Sequence, residues 1–459
     1  MAMVVKNNMS AVNTLNTLNK NESALSKSLQ KVSSGMKINS AGDDASGMAI
    51  SERMRVQVRA LDQDDDNTKN GSALLRTAEG AVQSTIEILK TLKDKAINAA
   101  NDTNTDEDRA VIQKEVDRLI DQIDDNALTT YNGKYLLDGT QNGLVKGDAP
   151  QYAGTYSSFT NMSLAENTSG ADLLLSLCRR DGQSLGLRSS DSITASWTRN
   201  GVTYTGTLSP IGDNNTLASA ISIITSTDAS IYSEDSLVGV DPYTREVHTP
   251  DNKRAITIRA SNPGLDGQIS GVTFSVTDNR GNIRKEVNAV LDDFRETVRA
   301  QNPSPDNSLI LQTGTKANQS VKVGFTDMRS VALGLQAQDG KGWNNGTLPA
   351  GISVSGRGPK IQVTTREAAN AAINVFQNAL IKATDQAVAI GAVQNRLGFT
   401  SSNLVTASEN VQDSESVIRD SDMAKEMTAY TKNNVLTQAA QAMLAQANQS
   451  SSAVLSLLQ

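Results

Sequence analysis

Apolar and small residues recur every seven positions near both ends of the chain, and this periodicity restricts the fold more than any other feature. Leu75, Val82, Leu89 and Ala96 form one series, and Ala78, Thr85, Leu92 and Ala99 follow three positions behind it. Together they are the a and d positions of a coiled-coil seam. Toward the other end Ile390, Leu397, Leu404, Val411 and Ile418 repeat in the same way, with Val393, Thr400 and Ala407 three residues after the first three. A shorter seam, Ile112, Val116, Leu119 and Ile123, follows Thr105 and Asp108, whose spacing is that of a capping box. Seams need partners. The simplest arrangement is one antiparallel bundle that pairs the N-terminal helices with the C-terminal one and carries the middle of the chain as an insertion. From Leu75 to Ala99 the seam would run roughly 36 Å at about 1.5 Å per residue, so a rod is expected, with both termini at one end.

Composition divides the chain where the seams do. All nine prolines lie between Pro150 and Pro359, as do both tryptophans, Cys178 and His248. Residues 1–130 hold no aromatic, and 360–459 hold only Phe376, Phe399 and Tyr430. Proline breaks helices and aromatics favour sheets, so the ends read as long helices and the middle as a different module. In "SITASWTRNGVTYTGTL", Ile193, Ala195 and Trp197 alternate, then Val202 and Tyr204, around Asn200-Gly201, which predicts a β-hairpin. "AITIRA" and "GVTFSV" read as further strands and "EVNAVLDDFRETVRA" as a helix. The expected fold is mainly α: an antiparallel N-/C-terminal coiled-coil helical rod with an inserted α+β, strand-rich domain. Its boundaries are 1–44 with 419–459, 45–149 with 361–418, and 150–360.

The outermost segments differ from the rod. One helical stripe over residues 4–36 carries Val12, Leu15, Leu18, Leu25, Leu29, Val32 and Met36; another over 423–458 carries Met423, Met427, Tyr430, Leu436, Met443, Leu444 and Leu455. The remaining positions are largely Asn, Ser, Thr, Gln and Lys. Ordering a residue costs about 1–2 kcal/mol of backbone entropy, so such helices are marginal alone and are expected to fold against copies of themselves. Between tail and rod lies "SSGMKINSAGDDASGMAI", with Ser33, Gly35, Asn39, Gly42, Asp43, Asp44 and Gly47. Its glycines supply backbone freedom, and Asp43 or Asp44 is placed to cap a helix beginning near Ala45.

Candidate chemistry is mostly near misses. Asp62, Asp64 and Asp66 occupy the first three ligand positions of an EF-hand-like loop, yet Asn67 replaces the turn glycine and Ala73 the bidentate glutamate. "GLQAQDGKG" has five residues between Gly334 and Gly340 where a P-loop has four, and Gly342 stands in place of the magnesium-binding hydroxyl. One cysteine and one histidine cannot build the usual zinc sites, and no Ser/His/Asp set forms. No metal, cofactor or enzymatic reaction is expected. A net charge of −7 without a basic stripe argues against nucleic acid. No run of about 18 apolar residues exists, so no membrane insertion is expected, and the N-terminus lacks the pattern of a cleaved signal peptide.

"SSGMKINSAGDDASGMAISERM", "TAEGAVQSTIEILKTLKDKAINAAND", "YNGKYLLDG", "RLGFTSSNL" and "SENVQDSESVIRDSDMAKEMTAYTKNNVLTQAAQAMLAQANQSSSAVLSLLQ" resemble bacterial flagellin over about 1–140 and 366–459. The resemblance implies an innermost coiled coil from the two terminal segments, a layer around it from both flanks, a variable outer insert, and a "spoke" at Ser33–Ile50 joining the inner layers. It implies unfolded export through the flagellar apparatus with a chaperone on the C-terminal segment. Polymerisation then follows under a filament cap, beside the hook-associated proteins, into an extracellular homopolymer used for motility. It also permits O-linked sugars on the insert. A hook–filament junction protein shares the terminal architecture, and an adhesive insert is a further alternative. Where flagellins recognised by the mammalian Toll-like receptor carry an Arg and a Leu, this chain has Thr91 and Lys95, while Glu115 matches; weak recognition is therefore expected.

Overall fold

In a computed structural model of the 459-residue chain, the described residues are 8–145, 155–166, 168, 170–199, 201–227, 231–234, 255–260, 262–338 and 358–457. Asn200, His248, Gly340 and Gly342 lie outside them. The helices are α1 (Met9–Ser34), α2 (Ala45–Ala99), α3 (Asp106–Ala127), α4 (Leu217–Thr227), α5 (Lys285–Leu291), α6 (Ser330–Leu333), α7 (Arg366–Arg419) and α8 (Met423–Leu457). The strands are β1 (Thr130–Tyr131), β2 (Lys134–Tyr135), β3 (Leu144–Val145), β4 (Ser158–Asn161), β5 (Ser192–Arg199), β6 (Val202–Leu208), β7 (Ile231–Glu234), β8 (Thr257–Ala260), β9 (Ile269–Thr277), β10 (Phe294–Val298), β11 (Ser304–Pro305), β12 (Leu309–Gln312) and β13 (Ser320–Val323). The chain forms two compact units, 1–69 with 312–319 and 398–459, and 70–311 with 320–397, so α2 and α7 are each divided between units.

In the second unit the heptad residues form the core. Leu75, Val82, Leu89 and Leu92 of α2 pack in one cluster with Val116, Ile120 and Ile123 of α3 and Phe376, Ile390 and Leu397 of α7. On α3 the buried position is Ile120 rather than Leu119, which is half-buried, because the helix turns a fresh residue inward as 3.6 per turn drifts from 3.5. Within this unit α2 and α7 run antiparallel. The Gln394 amide donates to Glu79 at 2.8 Å, and the Lys93 ammonium donates to Gln377 at 2.6 Å. Thr105 opens α3 with the capping box: its hydroxyl accepts from the Asp108 amide, and the Asp108 carboxylate accepts from the Thr105 amide. Those bonds hold the Asp108 carboxyl below its ordinary range. The Arg109 side chain reaches back to the end of α2, donating to the Ala99 and Asn101 carbonyls at 2.9 and 3.1 Å.

Apart from 312–319, the insert belongs to the same unit, and it has its own core. β5 lies between β6 and β9, antiparallel to both, with Trp197 opposite Tyr204 and Val272. The Trp197 and Tyr204 rings stack at 4.8 Å. A second sheet has the order β10-β4-β8-β7. "AITIRA" and "GVTFSV" are the strands β8 and β9. The segment 286–300 is only partly helical: α5 stops at Leu291, and Phe294–Val298 is strand, antiparallel to β4. Asp292 and Asn161 fix the end of the helix. Asp292 accepts from the Phe274 amide at 3.1 Å, and Asn161 donates to the Val290 and Leu291 carbonyls.

The insert is fixed to α7 by polar contacts. The Asn374 amide donates to the Thr273 hydroxyl at 2.9 Å and to the Asp292 carboxylate at 3.2 Å, while Asn378 donates to the Ser270 carbonyl at 3.0 Å. Gly271 lets the strand approach, since a Cβ there would sit 3.0 Å from the Val375 side chain. Burial, only partly offset by these hydrogen bonds, pushes the Asp292 carboxyl up to about 6. Nearby, Lys382 of α7 and Glu296 of β10 form a buried ion pair at 3.0 Å.

Candidate assembly surface

In the first unit, α1 and α8 lie antiparallel and are joined mainly by polar and small residues. Asn8 caps α1, its side chain accepting from the Ala11 amide and donating to the Ala447 carbonyl at 3.1 Å. Asn21 donates to the Leu436 carbonyl, and Asn433 to the Ser28 hydroxyl. Lys31 faces Glu426 at 3.7 Å. Leu18, Ser28, Thr437, Ala440 and Ala447 are buried; Leu25, Val32 and Leu444 are half-buried. The large apolar residues of the stripes differ in exposure. Met9, Val12, Leu15 and Leu29 on α1 and Met423, Met427, Val435, Leu436 and Met443 on α8 are exposed. Leu455 belongs to α8, and its side chain lies outside the described residues.

The joint after α1 is an organised turn. Exposed Ser33 sits in the last turn of α1, and Gly35 ends the helix in the left-handed conformation, φ +73°. Chain 35–37 then pairs with 419–421: Lys37 donates to the Arg419 carbonyl at 2.7 Å, and Ser421 to the Gly35 carbonyl at 3.0 Å. Gly42 lies in the exposed turn closed by the Asp43 amide donating to the Ser40 carbonyl. The two adjacent aspartates divide the work. Asp43 accepts from the amides of Ser40 and Asn39 and from the Ser40 hydroxyl, which holds its carboxyl below the ordinary range. Asp44 caps α2, accepting from the Ser46 and Gly47 amides at 3.0 Å each. Gly47 has no room for a side chain: a Cβ would lie 2.6 Å from both Asp44 Oδ2 and Ile38 Cδ1. Sequence reasoning missed Arg419, a buried guanidinium that donates to Glu52 at 2.7 Å and to the Met36 sulfur at 3.2 Å. The bond from Arg419 holds the Glu52 carboxyl below its ordinary range. Only a charge at the end of a long seam hinted at it.

The remaining candidates are placed as follows. Leu404 is buried and Val411 half-buried in the first unit. Asp62 and Asp65 accept from the Ser408 and Ser401 hydroxyls, and Asp64 is buried with its carboxyl raised by burial, all on continuous helix. Among the described residues no group of three or more His, Cys, Asp or Glu could hold a metal. The Thr91 hydroxyl donates to the Glu87 carbonyl one turn back, and Lys95 forms an ion pair with Glu115 at 2.7 Å. Among the described residues no helix is long and apolar enough to cross a membrane.

A family model of the bacterial flagellin N-terminal helical region matches residues 5–142, and one of the C-terminal helical region matches 373–458. Flagellin of Clostridium tyrobutyricum is 35% identical over 448 residues, 97% of this chain and 99% of that protein. Flagellin B of Vibrio anguillarum is 31% identical over 460 residues, all of both chains. The solved structure of FliC from Burkholderia pseudomallei is 14% identical, with a TM-score of 0.26, 71% of this chain and 99% of that one covered, a likeness too loose to carry an argument. With seams at both ends, an inserted sheet domain between them, and full-length relatives above 30% identity, the chain belongs to the bacterial flagellin family.

Proposed function

We propose that this chain is the structural subunit of a bacterial flagellar filament and polymerises through α1 and α8. The observation that carries the reading is the outward placement of Val12, Leu15, Leu29, Met423, Met427, Leu436 and Met443 on helices whose mutual contact mixes polar groups with Leu18, Leu25, Val32 and Leu444. Fully burying such a side chain from water gains about 1.5–3 kcal/mol, so these half-exposed ones would each gain roughly half of that against a second copy. In this reading 1–44 with 419–459 form the inner tube, 45–149 with 361–418 the layer around it, and 150–360 the exposed insert. Ser33 to Gly47 join the first two and touch neighbouring subunits. The filament lies outside the cell, and the cap, the hook-associated proteins and an export chaperone are its expected partners. Flagellin relatives spanning the whole chain disfavour the junction-protein reading. The reading includes no catalytic step.

Deleting 420–459 tests it. The shortened chain should stay a soluble monomer that fails to elongate filament seeds; filaments from it would refute the account of α1 and α8. Recognition by the innate receptor is expected to be weak, because Thr91 supplies no guanidinium and Lys95 is held by Glu115. Reporter cells given purified monomer should respond weakly, and Thr91→Arg should raise potency about tenfold or more. Full potency from the natural monomer would contradict this.

A further inference from the structure

Four of the exposed apolar side chains on α1 and α8 are methionines: Met9 at 62% exposure, Met423 at 43%, Met427 at 46% and Met443 at 62%. The other described methionines are less accessible. Met36, Met48, Met54 and Met162 are half-buried, and Met328 is 2% exposed in the core of the second unit. Thioethers are therefore most exposed on the helices that a second copy is proposed to cover.

We propose that these four methionines form an oxidation switch on assembly, a site of reversible sulfoxide formation that is open in the free subunit and closed in the filament. The inference rests on α1 and α8 being the polymerising surface. A hydroperoxide supplies the oxygen. As its O–O bond breaks, one oxygen atom bonds to sulfur, which is oxidised by two electrons, and the peroxide is reduced to the alcohol, or to water where it is hydrogen peroxide. The product is polar and chiral where an adaptable apolar group stood, so it disfavours a dry helix contact. A thiol-dependent sulfoxide reductase reverses the change by returning two electrons and releasing the oxygen as water. Arg419 covers the Met36 sulfur at 3.2 Å, which sets that residue apart from the four.

The test uses the full chain in two forms, free subunit and filament, treated with dilute hydrogen peroxide and mapped residue by residue by mass spectrometry. In the free subunit Met9, Met423, Met427 and Met443 should oxidise first and Met328 last; in the filament the four should react about tenfold more slowly or less. The oxidised subunit should need a free concentration about tenfold higher to elongate seeds, and treatment with sulfoxide reductase should restore elongation. Met→Leu at the four sites should bring each variant's treated-to-untreated elongation ratio to one, whatever its own rate. Equal oxidation of the four in subunit and filament would overturn the proposal, as would normal elongation by a subunit carrying all four sulfoxides. Failure of the assembly reading itself looks different: untreated chain lacking 420–459 would then elongate seeds.

Discussion

The pairing of α2, α3 and α7 and the pairing of α1 with α8 are both helix contacts, built from opposite choices of side chain. In the first, Leu75, Val82, Leu89, Ile120 and Phe376 face inward and lose all contact with water. In the second, Ser28, Thr437, Ala440 and Ala447 face inward while Leu15, Leu29 and Met443 face outward. The same heptad grammar thus serves two ends. One region spends its apolar area on its own core; the other leaves area exposed, which in the proposed assembly a second copy would cover. Polar seam groups such as Asn433 with Ser28 fix the register of α1 on α8 without consuming apolar surface.

The comparison is most easily broken by exchanging which region responds to truncation of a side chain. Phe376→Ala should cost the monomer about 3–5 kcal/mol, read as a lower thermal midpoint. Leu15→Asn should change the monomer's stability by no more than about 0.5 kcal/mol and instead raise the concentration needed for elongation about tenfold. Equal effects of the two changes on the monomer would remove the distinction.

The insert's attachment to α7 depends on pH through Asp292. Asp292 has a folded-state value of about 6 against an ordinary 3.8, so the folded chain holds the proton more tightly than the unfolded one. Stability from this group is complete below the unfolded value, declines as pH rises from about 4 to 6, and is lost above it. Asp292→Asn removes that loss. The variant should exceed the natural chain by up to about 3 kcal/mol at pH 7.5 and match it near pH 4. A constant difference across that range would show that Asp292 is not the titrating group.

Much of the fold was legible because a seven-residue repeat over several turns leaves few alternatives. The hairpin of β5 and β6 was legible for a similar reason, since Ile193, Ala195 and Trp197 alternate on one face. Three features were not. "EVNAVLDDFRETVRA" has helical spacing, and the strand Phe294–Val298 is imposed by pairing with β4, a contact more than a hundred residues away in sequence. The apolar residues of α1 repeat like a core stripe, and the docking of α8 shields Leu18, Leu25 and Val32 while leaving Leu15 and Leu29 exposed. The division of Asp43 and Asp44 into turn and cap depends on backbone amides whose positions are set by Gly35 and by chain 419–421. In each case local pattern gave way to a distant partner.

Amide hydrogen exchange on the monomer and on the assembled filament tests the central claim most directly. In the monomer, amides of α2 and α7 around Leu89 and Phe376 should be strongly protected and those of α1 and α8 only weakly. In the filament, α1 and α8 should become protected to a comparable degree, with little change around Leu89 and Phe376. Strong protection of α1 and α8 in the free subunit, unchanged on assembly, would contradict the account.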